Sequence, residues 1–87
     1  MTRILPLAAK AALAVGSGNA TTVDNATVVR ILSTAGAAVV VRTDSDDNVI
    51  GSFTTLNNSE VLVEKNASDK IYVTGNAVEV SKVGFTN

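Results

Sequence analysis

The feature that most restricts how this chain folds is its rhythm after residue 26, where short β-branched runs are broken every few residues by clusters of Asn, Asp, Ser and Gly. Val, Ile and Thr favour extended backbone, while the intervening residue types favour turns. The runs cover residues 27–32, 37–43, 49–55, 60–65, 70–74 and 77–85. Links this short suit antiparallel hairpins, because a parallel crossover needs a dozen or more residues. The expected fold is therefore all-β: a small antiparallel β-sandwich or partly open barrel of about six or seven short strands, connected as a meander or Greek key.

Within the runs, side-chain parity separates the faces. Val61 and Val63 share one side of their run, and Glu60, Leu62 and Glu64 share the other. The last run changes phase: Val78 and Val80 agree in parity, then Val83 and Phe85 take the opposite one. Either a bulge near Ser81 and Lys82 or a strand passing from one surface to another reconciles them. Val28-Val29, Ile31-Leu32 and Val39-Val40-Val41 are apolar on both parities, which predicts strands covered on both faces. A central strand beneath a loop or burial in an oligomer would supply that cover.

The first 15 residues are read as an N-terminal arm or edge strand of a single domain spanning 1–87, with a helix over 7–15 as the alternative. Pro6 could open that helix and Gly16 could close it. Residues 16–26 read as a flexible surface loop. Arg3 followed by small apolar residues resembles a secretion signal, but Lys10 divides the apolar run too early for one. No uninterrupted apolar segment approaches the roughly 18 to 20 residues of a membrane span, so the expected protein is soluble, with no membrane partner.

The interior available to such a fold is slight. Apolar residues make up 46% of the 87, but most are Val and Ala, and the aromatics are Phe53, Tyr72 and Phe85 alone. A chain of this length buries only about 60 to 65% of its unfolded surface, so the isolated monomer should be marginal. The rings are expected to anchor the core, with Phe85 closing it near the C-terminus. The absence of cysteine removes disulfide staples and leaves packing or assembly to supply stability.

Chemistry is sparse. With neither His nor Cys, the commonest general base, metal ligand and thiolate nucleophile are missing together. The carboxylates Asp24, Asp44, Asp46, Asp47, Glu60, Glu64, Asp69 and Glu79 fall mostly in turns or on polar strand faces, where solvation is their expected role. Asp44-Ser45-Asp46-Asp47-Asn48 has the alternation of a calcium loop but not its glycine or distal glutamate, and an Asx turn explains the same letters. Gly16-Ser17-Gly18 lacks the Lys-Ser/Thr ending of a phosphate cradle. Sequons at Asn19, Asn25, Asn57 and Asn66 follow from a composition rich in Asn, Ser and Thr. A formal charge of −1 with dispersed Lys and Arg provides no footprint for nucleic acid. No enzyme activity, cofactor or metal is expected.

Several segments resemble short virion-associated proteins of marine tailed bacteriophages, especially those infecting cyanobacteria. They are Met1-Thr2-Arg3-Ile4-Leu5-Pro6-Leu7-Ala8, Val28-Val29-Arg30-Ile31, Val49-Ile50-Gly51-Ser52-Phe53, Val61-Leu62-Val63-Glu64-Lys65 and Val83-Gly84-Phe85-Thr86-Asn87. The resemblance implies a β-rich capsid decoration or cement protein, made in the host cytoplasm and carried on the capsid surface of the virion. Its implied partners are the major capsid protein or other virion subunits and further copies of itself, a trimer being one such homo-oligomer. Arg3, Ile4, Leu5, Phe85, Thr86 and Asn87 would then form the docking arms. A tail or head-to-tail component and a host-surface or carbohydrate-binding β module are the alternative readings, the latter weakened by the scarcity of aromatics for sugar stacking.

Overall fold

The computed structural model describes the backbone of residues 3–86 and the side chains of residues 4–84. Eight strands form in chain order: β1 (Arg3–Pro6), β2 (Ala11–Leu13), β3 (Val28–Ser33), β4 (Ala38–Thr43), β5 (Val49–Thr55), β6 (Ser59–Glu64), β7 (Lys70–Thr74) and β8 (Val78–Thr86). Every ladder is antiparallel. One sheet has the order β1-β8-β3-β6, with β2 continuing beyond β1 along β8; the other has the order β5-β4-β7. The all-β sandwich expected from the runs is the fold, and two of the runs, 49–55 and 70–74, match their strands residue for residue.

The links between strands behave differently from the expectation. Only β4 and β5 are consecutive strands paired as a hairpin. The links β3–β4, β5–β6, β6–β7 and β7–β8 instead lift the chain from one sheet to the other. A few extended residues span the ~10 Å between layers as readily as they reverse within one, since each advances the chain about 3.3 Å. Gly36 serves the first of these arches, at φ 128° and with Asn76 packed where a side chain would stand. The Asn76 amide also donates to the carbonyl of Ala37 at 2.8 Å, joining the β3–β4 and β7–β8 arches.

Between the sheets lies an aliphatic core. Val29, Ile31, Val78 and Val80 come from the larger sheet and Ala38, Val40, Ile71 and Val73 from the smaller, with Leu13, Val23 and Ala26 filling in from the N-terminal segment and Val63 packing against them from β6. No aromatic ring is among them: Phe53 is 37% exposed and Tyr72 is half-buried. Their expected role as core anchors is thus corrected, because both rings sit on strands at the margins of the three-stranded sheet. The side chain of Phe85 lies outside the described residues.

The phase change in the last run involves no bulge in β8 at Ser81 and Lys82, and the strand carries buried valines on both faces. β8 pairs without interruption with β3 from Glu79 to Lys82, so Val78 and Val80 face the core while Val83, buried as well, faces outward. The irregularity falls on the partner instead: Pro6 is opposite Val83 and Ala11 opposite Val80, leaving residues 7–10 to bulge out. Leu7 remains tied to β8 by its amide, 2.9 Å from the carbonyl of Lys82, and lies over Gly84.

Residues 14–26 do more than a surface loop would. The chain leaves β2 in the larger sheet and bonds along β7 in the smaller, through bridges of Val15 to Val73 and Thr21 to Ile71. Gly16 donates to Val73 at 2.9 Å, and Thr21 and Ile71 exchange bonds of 3.0 and 2.8 Å. Val23, Asp24 and Asn25 then adopt left-handed backbone at φ 53°, 56° and 56°. That conformation costs a β-branched residue roughly 1 to 2 kcal/mol. It is offset by burial of Val23 and Ala26 and by the Thr21 and Thr22 hydroxyls, which accept from Val23 and Asn25 at 3.0 and 3.2 Å. One seam of the sandwich is thereby sealed, apart from a cavity of about 360 Å³ lined by Leu13, Thr21, Val23 and Val80 among others.

Because the interior is made of branched aliphatics, truncating one of them should dominate over truncating a ring. Ile71→Ala, at a fully buried position, is expected to cost about 2 to 5 kcal/mol. Phe53→Ala should cost less, and urea unfolding of both variants measures the order.

Candidate interface surfaces

The polar groups of the molecule are mostly consumed by its own structure. At one end of the sandwich, Arg42 on β4 donates through Nε and Nη2 to Oδ2 of Asp69, at 2.9 and 2.6 Å. The same oxygen accepts the amide of Asn66 at 3.1 Å. Beside it the buried Lys65 ammonium donates to the carbonyl of Ala26 at 2.6 Å, and more distantly to those of Asn66 and Ala67. The Arg42 bond, with help from the Asn66 amide and the two nearby cations, holds the Asp69 carboxyl below the usual carboxylate range. Burial pushes the Lys65 ammonium below the ordinary lysine value, with Asp69 pulling it back up and Arg42 pushing it further down. Every buried side-chain nitrogen and oxygen among the described residues has a partner.

The acidic loop is equally committed. Asp44 Oδ1 accepts the amides of Asp46 and Asn48, each at 2.9 Å, and its other oxygen accepts the Asn48 side-chain amide at 3.2 Å. Those bonds, led by the Asn48 amide, lower its pKa. Asp47 takes left-handed backbone and pairs with Lys70 at 3.0 Å. This is the Asx turn that the letters allow. Among the described residues no group of three or more acidic side chains converges as a metal site would require, and no helix is long and apolar enough to cross a membrane.

Most of the exposed large apolar side chains gather in two places, with Val15, Val39 and Leu62 exposed singly elsewhere. The first is the edge formed by β1 and the residues after it, where Ile4, Leu5 and Leu7 are exposed. β1 and β8 pair Arg3 with Thr86 and Ile4 with Phe85, so the two terminal segments expected to dock are brought together on one edge of the larger sheet. The side chains of Arg3, Phe85 and Thr86, and Asn87 altogether, lie outside the described residues. Next to this edge runs a groove of about 360 Å³ whose apolar wall is Ile4, Pro6, Ala8 and Val83. Its charged wall contains Lys10 and Arg30, already paired with Glu79 at 3.3 Å and Glu60 at 2.6 Å. A groove with its charges internally matched is better suited to a protein surface than to a small anion.

The second place is the seam opposite the one sealed by residues 14–26. There β5 and β6 are the outer strands of their sheets, and a cleft of about 290 Å³ between them is lined by Val40, Ile50, Phe53 and Val63 among others. β5 is exposed over Val49–Thr54 on both of its faces, with only Thr55 buried. Val49, Ile50, Phe53 and Leu56 are exposed large apolar side chains, Leu56 to 73%. Sequence reasoning placed Phe53 inside and did not single out the others as a surface. The available signal was the absence of any charged residue between Asp47 and Glu60.

Comparisons of the chain with protein-family models, with curated proteins and with solved structures found no significant match. The surfaces must therefore be interpreted from their own chemistry.

The Asp69 carboxylate supplies a test of the polar end. A folded-state pKa below the unfolded value of about 3.9 stabilises the fold above that pH, and the contribution disappears as pH falls through the folded value. Asp69→Asn should accordingly lower stability at neutral pH, while the gap to the wild type closes below about pH 4. Urea midpoints measured across this range decide it; a gap unchanged by acidification would refute the assignment.

Proposed function

We propose that the protein is a non-enzymatic structural component of a tailed-phage virion, a decoration or cement subunit that binds the major capsid protein on the outer face of the shell. The observation that carries this reading is the apolar edge of Ile4, Leu5 and Leu7, formed where the two terminal segments pair and bordered by a groove with its charges already matched. These terminal segments are two of the five in which the chain resembles phage virion proteins. Exposed side chains of this type lose free energy only when something covers them, at about 25 cal/mol per Å² of apolar surface.

A cement subunit does not require one strong site. Contacts that each bury several hundred Å², repeated over many symmetry-related copies, accumulate into a large effect on the shell. An aliphatic sandwich whose described buried polar atoms are all internally bonded is a suitable carrier for such contacts, since it presents shape and apolar area.

The direct test is a reconstruction of the virion of the phage encoding this chain. Density for the sandwich repeated across capsomers supports the proposal, density at a unique vertex assigns it to the head-to-tail or tail apparatus, and absence from purified particles rejects a virion role. Replacing an exposed docking residue tests the surface. Leu5 is 45% exposed in the free protein, so Leu5→Asp should weaken each shell contact roughly 3- to 10-fold, the equivalent of losing about 0.7 to 1.4 kcal/mol from burial of the remaining leucine surface. Quantitative mass spectrometry of virions carrying the variant measures the loss.

A further inference from the structure

We propose that β5 is the edge through which two copies of this chain join, antiparallel and about a two-fold axis, so that their smaller sheets become one continuous sheet. This is independent of whether the protein coats a shell, because it concerns a different surface from the edge at Ile4, Leu5 and Leu7.

An outer strand presents a row of backbone amides and carbonyls to one side, and folded proteins blunt such rows with charge, proline, bulges or covering chain. The other outer strands here carry such devices. The edge along β8 has Pro6 in β1 and Lys10 before β2, and β6 carries Glu60 and Glu64. The free side of β7 is covered by the bridges from Val15 and Thr21. β5 has only an irregularity at Ile50, which is skipped as the register with β4 passes from Gly51 opposite Arg42 to Val49 opposite Thr43. From Gly51 to Thr55 its register is regular, and it carries neither charge nor proline. The chemistry that fits this row is another extended strand, held mainly by main-chain hydrogen bonds.

That the strand is a second copy of β5 follows from the side chains. With no charge on the segment, antiparallel self-pairing sets no like charges opposite one another. A two-fold axis centred on Ser52 places Phe53 of each copy opposite Gly51 of the other. Gly51 is the complement a ring requires: a side-chain carbon built there meets nothing within 4 Å, and an aromatic ring across from a strand glycine covers its exposed backbone. Gly51 and Phe53 share the face that includes Val40, directly opposite Phe53 on β4. Each ring would thus also lie over the mouth of the cleft lined by Val40, Phe53 and Val63. The resulting contact is isologous, the same patch on both partners, and closes as a dimer.

Ser52 is exposed and on the face of β5 away from Gly51, Phe53 and the core residue Val40, so a long polar side chain there can extend into solvent in the monomer. Sedimentation of the purified full-length protein at roughly 100 μM, where a complex with a Kd of about 1 μM is almost wholly associated, should show a dimer. Ser52→Lys and Ser52→Glu should each sediment as monomers with the wild-type circular dichroism, and their equimolar mixture should recover the dimer. If either variant fails to fold, hydrogen exchange of the wild type gives the answer by itself: protection of Gly51–Thr55 amides should rise with protein concentration. A wild type that is monomeric throughout this range, a dimer indifferent to both substitutions, or exchange independent of concentration overturns the proposal, as does pairing of β5 only with a strand of a different protein.

Discussion

The structure depends on burying a thin aliphatic layer between two sheets, with neither Phe53 nor Tyr72 in that layer. Valine and isoleucine fill the layer efficiently because their branched side chains lose little rotamer freedom in extended backbone. They are short, however, and cannot reach past the margins of a sheet. The interior is therefore narrow, and each margin needs its own closure. At one seam, residues 14–26 provide it by leaving the larger sheet, bonding along β7 and placing Val23 and Ala26 in the core. Three consecutive left-handed residues are tolerated there because the alternative would expose that core.

At the other seam nothing among the described residues performs this task. β5 and β6 flank a cleft, and the apolar residues that would close it against one another are instead exposed. The contrast between a sealed and an open seam makes the exposure of Phe53 and Leu56 informative. Scattered apolar side chains are ordinary on any protein surface, but a contiguous group beside an unpaired strand edge has a shape that another strand fits. Asp44, Asp69, Arg42 and Lys65 are bonded within the molecule, so these four groups serve the fold.

Much of this architecture was legible in the chain because strand formation here is a local matter. Turn-forming clusters and β-branched runs mark six of the eight strands within a residue or so of each end, and the parity that puts Val61 and Val63 on one face of β6 matches its half-buried side. The Asx turn was legible for the same reason, since Asp44 bonds residues only two and four positions away. The termini were expected to dock as arms, and their pairing along β1 and β8 joins positions at opposite ends of the chain that no local pattern connects.

The sequence by itself determined the element types and the aliphatic character of the interior, because backbone preference and side-chain volume are properties of each residue and its near neighbours. Only the tertiary structure decided which short links reverse within a sheet and which arch across the core, since both require similar lengths of chain and differ in the distant strand that supplies the hydrogen bonds. It also decided that Phe53 lies at an open margin while Val23 is inside. Exposure is set by the outcome of that pairing, by which strands finish at an edge and which edge another segment happens to cover.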